Sequence, residues 1–138
     1  MKLQRIVVDH YRSIEHIEIE FPVGKPVVLF GPNNAGKSNI LSAIDRLLGE
    51  RYPTYIEMLD SDFYMRNKAL HPTSTVMATF TSPYYYDRYG KPYSTIAVTY
   101  GYGGNPNEHL LHDGHGQKLF ISSENRSSCQ SYLIDAER

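Results

Sequence analysis

The stretch Gly31-Pro32-Asn33-Asn34-Ala35-Gly36-Lys37-Ser38 decides the fold of this chain. It matches the pattern G-x-x-x-x-G-K-[ST], and its flanks are the ones that pattern requires. The apolar run Val27-Val28-Leu29-Phe30 before it reads as a buried strand. After it, Ile40, Leu41, Ile44, Leu47 and Leu48 recur at helical spacing, and Gly49 follows as a stop. A strand, a glycine loop and a helix in that order put a helix N-terminus, with its unpaired N–H groups and positive dipole end, where an anion can sit.

Each residue type has a role in such a loop. Gly31 and Gly36 permit turns and approaches that a Cβ would obstruct. The amides from about Asn34 to Ser38 can then converge on phosphate oxygens as a concave nest. Lys37 is the expected catalytic point charge on the β- and γ-phosphates, and the Ser38 hydroxyl a ligand for Mg²⁺.

The bulk numbers set bounds around that loop. A chain of 138 residues is expected to form one domain and to bury about two thirds of its unfolded surface. With 41% hydrophobic and 21% charged residues the composition is that of a globular protein, not a disordered one. Net charge is −1, so a DNA contact must come from a local patch or from further sequence rather than from overall basicity. The single Cys129 excludes a disulfide framework and a cysteine-rich zinc site, which suits a reducing cytoplasm. Met1 to Arg5 lacks the apolar stretch of a signal peptide, and no segment reaches transmembrane length.

Along the chain, Leu3–His10 and Ile14–Phe21 read as two strands joined by a short turn, the second alternating Ile17, Ile19 and Phe21 with Glu18 and Glu20. Residues 50–74 read as an irregular connector with one helical turn near 55–59. Strands are expected at 75–81, 93–102, 118–122 and 131–135, and 101–116 reads as a loop. One strong helix cannot supply parallel crossovers for so many strands, so the expected class is α/β with a mixed, partly antiparallel sheet around one main helix.

The hairpin carrying Tyr11-Arg12-Ser13-Ile14, followed by Leu29 to Ile44 with its Asn-Asn-Ala-Gly-Lys-Ser-Asn-Ile-Leu-Ser-Ala-Ile run, is similar to the N-terminal lobe of ABC-type ATPases of DNA metabolism, the SMC, RecF and OLD group. Asp62-Phe63 and the ending Tyr132 to Arg138 resemble OLD-type ATPases. The resemblance is strong over residues 1–49 and loose beyond. It implies a P-loop ATPase head in which Gly31, Asn33 to Ser38 and Asn39 hold ATP and Mg²⁺. It implies that Arg12 and Ser13 approach the nucleotide from the first hairpin, and that Gln130 is a second metal ligand. It also implies a head-to-head homodimer, DNA as partner of the whole protein, and no membrane.

Such ATPases also need an acidic motif, an apolar run ending in Asp-Glu, and a Ser-Gly signature. Here Ala136 interrupts the nearest candidate, Leu133-Ile134-Asp135-Ala136-Glu137, and no Ser-Gly-Gly occurs. The chain is therefore expected to be the N-terminal part of a longer ATPase and to hydrolyse almost nothing alone. The alternative is a stand-alone nucleotide-binding regulatory or interaction module. A GTPase is disfavoured, because Asn67-Lys68-Ala69-Leu70 lacks the Asp of a guanine-reading motif. His109, His112 and His115 read as a solvated loop rather than a metal site. The tyrosines of 84–102 read as packing rather than a stacking platform, and Arg46, Arg51, Arg66 and Lys68 as a solvated face.

Overall fold

The computed structural model describes residues 2–22, 24–25, 36–49 and 51–120. Strands β1 (Leu3–Tyr11) and β2 (Ile14–Glu20) form the expected antiparallel hairpin, in which Ile6 faces Ile19 and Val8 faces Ile17. Because side chains alternate across a strand, this register turns Ile6 and Val8 into the core and leaves Glu18 and Glu20 on the other face.

Helix α1 (Lys37–Leu48) buries Ile40, Ala43, Ile44, Leu47 and Leu48, whereas Leu41 points outward and is 44% exposed. The helix stops where expected. The Gly49 amide donates to the Asp45 carbonyl at 2.8 Å. A Cβ on Gly49 would lie 2.4 Å from that same oxygen, so the close approach needs glycine.

The connector holds three single 3₁₀ turns, Pro53–Tyr55, Asp60–Asp62 and Tyr64–Arg66, in place of the one turn expected at 55–59. Tertiary partners stabilise two of them. The Tyr100 hydroxyl donates to the Pro53 carbonyl at 2.8 Å, and Arg46 Nη2 donates to Asp62 Oδ2 at 2.9 Å. The Asp62 carboxylate also caps its own turn by accepting the Leu59 amide at 2.9 Å. Periodicity carries no trace of the tertiary partners.

Strand β3 (Thr73–Phe80) buries every second residue. A small hairpin follows, β4 (Tyr85–Tyr86) with β5 (Pro92–Tyr93), and then β6 (Thr95–Gly101), β7 (Glu108–His112) and β8 (Lys118–Phe120). The main sheet runs β2-β1-β3-β6-β7-β8 and is antiparallel throughout the described residues. Its inner face packs Ile6, Val8, Val76, Ala78, Ile96 and Val98 against α1. This arrangement, one helix on a mostly antiparallel sheet, is that of the expected lobe. The strands expected at 27–30 and 131–135 lie outside the described residues.

Residues 101–116 are not the uninterrupted loop expected of them, because they contain β7. Leu110 pairs with Ala97 and Leu111 with Ile96, so a strand of five residues is stabilised by β6 despite the turn-forming residues on both sides. His109 is accordingly 3% exposed and meets the Tyr52 ring edge-on at 5.0 Å. Of the three histidines only His115 is exposed, while His112 is half-buried. Tyr93 and Tyr100 are buried in the core and Tyr84 and Tyr85 pack against it, whereas Tyr86 and Tyr89 are exposed.

Candidate functional site

The candidate site begins where α1 begins. Gly36 caps the helix in the left-handed conformation, φ 88° and ψ 7°, which a side chain rarely adopts. From there the chain turns directly into Lys37 and Ser38, and the Gly36 carbonyl accepts the amides of Asn39 and Ile40 at 3.1 Å each. The first turn holds no acidic residue, so the positive end of the helix dipole is uncompensated by side-chain charge there. Ser38 is exposed at this mouth and Lys37 is half-buried. Gly31, Asn33, Asn34, Ala35 and Gln130 lie outside the described residues.

The tip of the β1–β2 hairpin stands against this mouth. A Cβ on Gly36 would meet Ser13 Oγ at 3.4 Å, so tip and loop exit are in contact. Asn39 bridges them, donating from Nδ2 to Ser13 Oγ at 2.8 Å and accepting from Arg12 Nη1 at 3.3 Å. Arg12 and Ser13, which the resemblance implicates, are thus brought together with the helix start. The connector is laced to the same tip: the Arg12 amide donates to the Asp62 carbonyl at 2.9 Å, and the Met65 amide donates to the Arg12 carbonyl at 3.2 Å.

Beneath the tip lies a buried polar network that sequence reasoning missed. Arg46 is 8% exposed, so it does not belong to a solvated face. Its Nη2 donates to Asp62 Oδ2 at 2.9 Å, its Nε to the Tyr11 hydroxyl at 2.9 Å and its Nη1 to the Glu57 carbonyl at 3.2 Å. The guanidinium carbon lies 5.5 Å from the Tyr11 ring centre and 5.3 Å from that of Tyr100. Burial works against the Arg46 charge, but the Tyr11 and Tyr100 hydroxyls outweigh it, and the pKa stands above the usual arginine value. The Tyr11 hydroxyl also shares a hydrogen bond with Ser42 Oγ at 2.8 Å.

A signal for this network was present. Asn39, Ser42 and Arg46 recur at helical spacing beside the apolar stripe, and all three meet the hairpin. The other cations behave differently: Arg51 and Arg66 are exposed, and Lys68 pairs with Asp60 at 2.8 Å. Among the described residues no group of three His, Cys, Asp or Glu side chains is arranged to hold a metal ion.

Between the hairpin tip, the first turn of α1 and the connector opens a cleft of about 540 Å³. Arg12, Ser13 and Asn39 form its polar wall, and Leu59, Met65 and Arg66 its rim. Leu59 is 56% and Met65 69% exposed, so the cleft offers apolar surface to an incoming group. Met65 and Arg66 both take positive φ, 57° and 55°, uncommon conformations for residues that carry a side chain. A helix whose first turn carries no acid, a lysine, a serine hydroxyl and an adjoining half-apolar cleft together suit a molecule with an anionic tail and a flat, partly apolar head.

Comparison with known proteins agrees with that chemistry. The family model described as AAA ATPase domain matches residues 1–136. The chain is 42% identical over 52 residues to an OLD nuclease of Thermus scotoductus, a match covering 38% of this chain and 10% of that protein. It is 35% identical over 79 residues to the DNA replication and repair protein RecF of Bifidobacterium adolescentis, covering 56% of this chain and 18% of RecF. Among solved structures, an SMC ATPase superposes with a TM-score of 0.60 at 17% identity, over 97% of this chain and 80% of that one. The matched segments thus span less than a fifth of these two curated relatives. No helix among the described residues is long and apolar enough to cross a membrane.

Proposed function

This chain belongs to the AAA ATPase domain family, and from that premise we propose that it is the ATP-binding N-terminal lobe of an ABC-type ATPase acting on DNA. The observation that carries the proposal is the left-handed Gly36 opening directly into Lys37 and Ser38 at a helix whose first turn holds no acidic residue. Backbone amides and the helix dipole there favour a polyphosphate, and Lys37 adds a point charge for the β- and γ-phosphates. Arg12 and Asn39 flank the phosphates from the hairpin side, and the nucleoside end extends into the cleft against Leu59 and Met65.

The donor chemistry fits a magnesium–nucleotide complex, because a hydroxyl oxygen, Ser38, is exposed beside the lysine. Ser38 would hold the ion, with Gln130 as a further ligand. Bound Mg²⁺ supplies neutralisation of phosphate charge. The part played by this chain is binding and charge stabilisation, with Lys37 stabilising charge that develops on the transferred phosphate.

The relatives named above include a nuclease and a DNA replication and repair protein, and the SMC structure is of an ATPase with ATP-driven dimerization and DNA-stimulated activation. On that likeness, two copies of the whole protein pair through their heads and couple ATP to work on DNA. The primary test is a titration of ATP, with and without Mg²⁺, against wild type and Lys37→Ala. Loss of a surface charge–phosphate contact predicts at least about tenfold weaker binding in the variant. Equal affinity in the two proteins would remove the assignment.

A further inference from the structure

We propose that Asp62 is a positioning residue that holds the Arg12 guanidinium against the first turn of α1, so that the connector and the phosphate-binding helix respond to nucleotide as one unit. The inference rests on the nucleotide-site reading given above and deepens it.

The charge count is the first support. One buried carboxylate, 4% exposed, lies between two guanidiniums, at 2.9 Å from Arg46 Nη2 and 3.0 Å from Arg12 Nε. Neutralising Asp62 needs only one of them. Arg46 is buried and enclosed by Tyr11, Tyr100 and the Glu57 carbonyl. Arg12 is 35% exposed and lines the cleft. The surplus positive charge of the trio therefore resides on the side that faces an incoming anion.

Geometry is the second support. Asp62 is fixed from three directions, because its Oδ2 also accepts the Leu59 amide at 2.9 Å. It takes the Nε edge of Arg12 and leaves the terminal nitrogens pointing on, with Nη1 3.3 Å from Asn39 Oδ1. Among the described residues no hydrogen bond occupies Nη2. Arg12 itself adopts a positive φ of 52°, an uncommon conformation for a side-chain-bearing residue, and its amide and carbonyl are both tied to the connector. A pair built only for stability requires neither this backbone constraint nor the forward reach to Asn39. The arrangement pre-orders a flexible cation, which lowers the entropic cost of binding a phosphate group. By reciprocity, a bound phosphate tightens the connector.

The test is a double-mutant cycle on nucleotide affinity in the full chain, with ATP and inorganic triphosphate as probes and calorimetry as readout. Asp62→Asn keeps the shape and frees Arg12; ATP binding weakens about five- to tenfold, the scale of one ordinary hydrogen bond, because the Arg12 contact is disordered rather than removed. Arg12→Gln weakens it at least as much, and the double variant equals Arg12→Gln alone, because Asp62 acts only through Arg12. Arg46→Met lowers Tm but leaves affinity within about twofold, since Arg12 keeps its partner. Wild-type affinity in Asp62→Asn, losses that multiply in the double variant, or an equal affinity loss in Arg46→Met overturns the inference. Should Asp62→Asn not fold, Arg12→Lys decides: a lysine cannot span Asp62 and Asn39, and wild-type affinity there overturns the inference too. Lys37→Ala separates the two levels. If it binds ATP normally, the phosphate site itself is wrong; if it fails while Asp62→Asn is inert, only the role of Asp62 is.

Discussion

Replacing Arg46 by Met creates a buried carboxylate that has lost its buried counter-charge. Asp62 is 4% exposed on its side chain, and Arg46 contributes a 2.9 Å ion pair to it. Removing one partner of such a pair costs about 3–5 kcal/mol, because the remaining charge stays desolvated. Asp62 retains Arg12 at 3.0 Å and the Leu59 amide at 2.9 Å, which places the cost at the lower end, about 3 kcal/mol. With an unfolding entropy of ~2.1 cal/mol/K per residue, that is a fall in Tm of about 10 °C for a unit of this size. The assay is thermal and urea unfolding of wild type, Arg46→Met and Arg46→Met/Asp62→Leu. The double variant removes both charges and fills the space with apolar atoms, while Arg12, 35% exposed, turns to water. It should be more stable than the single variant by at least about 1 kcal/mol. A double variant less stable than Arg46→Met would show that the penalty does not come from a stranded carboxylate, and the reading of the network as a charge cluster would be refuted.

Other outcomes follow from the same structure. Leu47 is completely buried between α1 and the sheet, so Leu47→Ala should cost about 2–5 kcal/mol in urea unfolding, with an unchanged m-value if only the core cavity is responsible. Lys91, and then the His115 amide, hold the Asp113 carboxyl below its ordinary value, at about 2. A depressed carboxylate pKa stabilises the fold above the unfolded value of 3.8 and loses that contribution as pH falls toward 2. Acid titration of stability should therefore show a loss between those limits that Asp113→Asn lacks; an identical acid limb in both proteins excludes this ion pair as its source.

The hairpin, the helix and its glycine stop were legible in the residues because each is a local pattern. Alternation in 14–21 leaves one face wet, and a 3.6-residue period in 40–48 builds one apolar stripe. The stripe was read slightly too broadly, since Leu41 is half-exposed and Ala43 takes its place in the core. Strand β7 was not legible. Its pairing energy comes from its neighbours β6 and β8, the β6 partners lying nine to seventeen residues back, while its own neighbourhood is rich in Gly, Asn and Pro.

The sequence by itself determined the chemistry of the loop: glycine where a left-handed turn must open, then lysine and serine at a helix mouth. These are decided by backbone sterics and by hydrogen-bond donors that no distant residue needs to supply. Only the tertiary structure decided that Arg46 is buried, that Asp62 stands between it and Arg12, and that a cleft opens beside them. The reason is physical. Taking a charge out of water is stable only where several separate segments arrive together with its partners; the helical spacing of Asn39, Ser42 and Arg46 marks a face of α1 but does not name the segments that meet it.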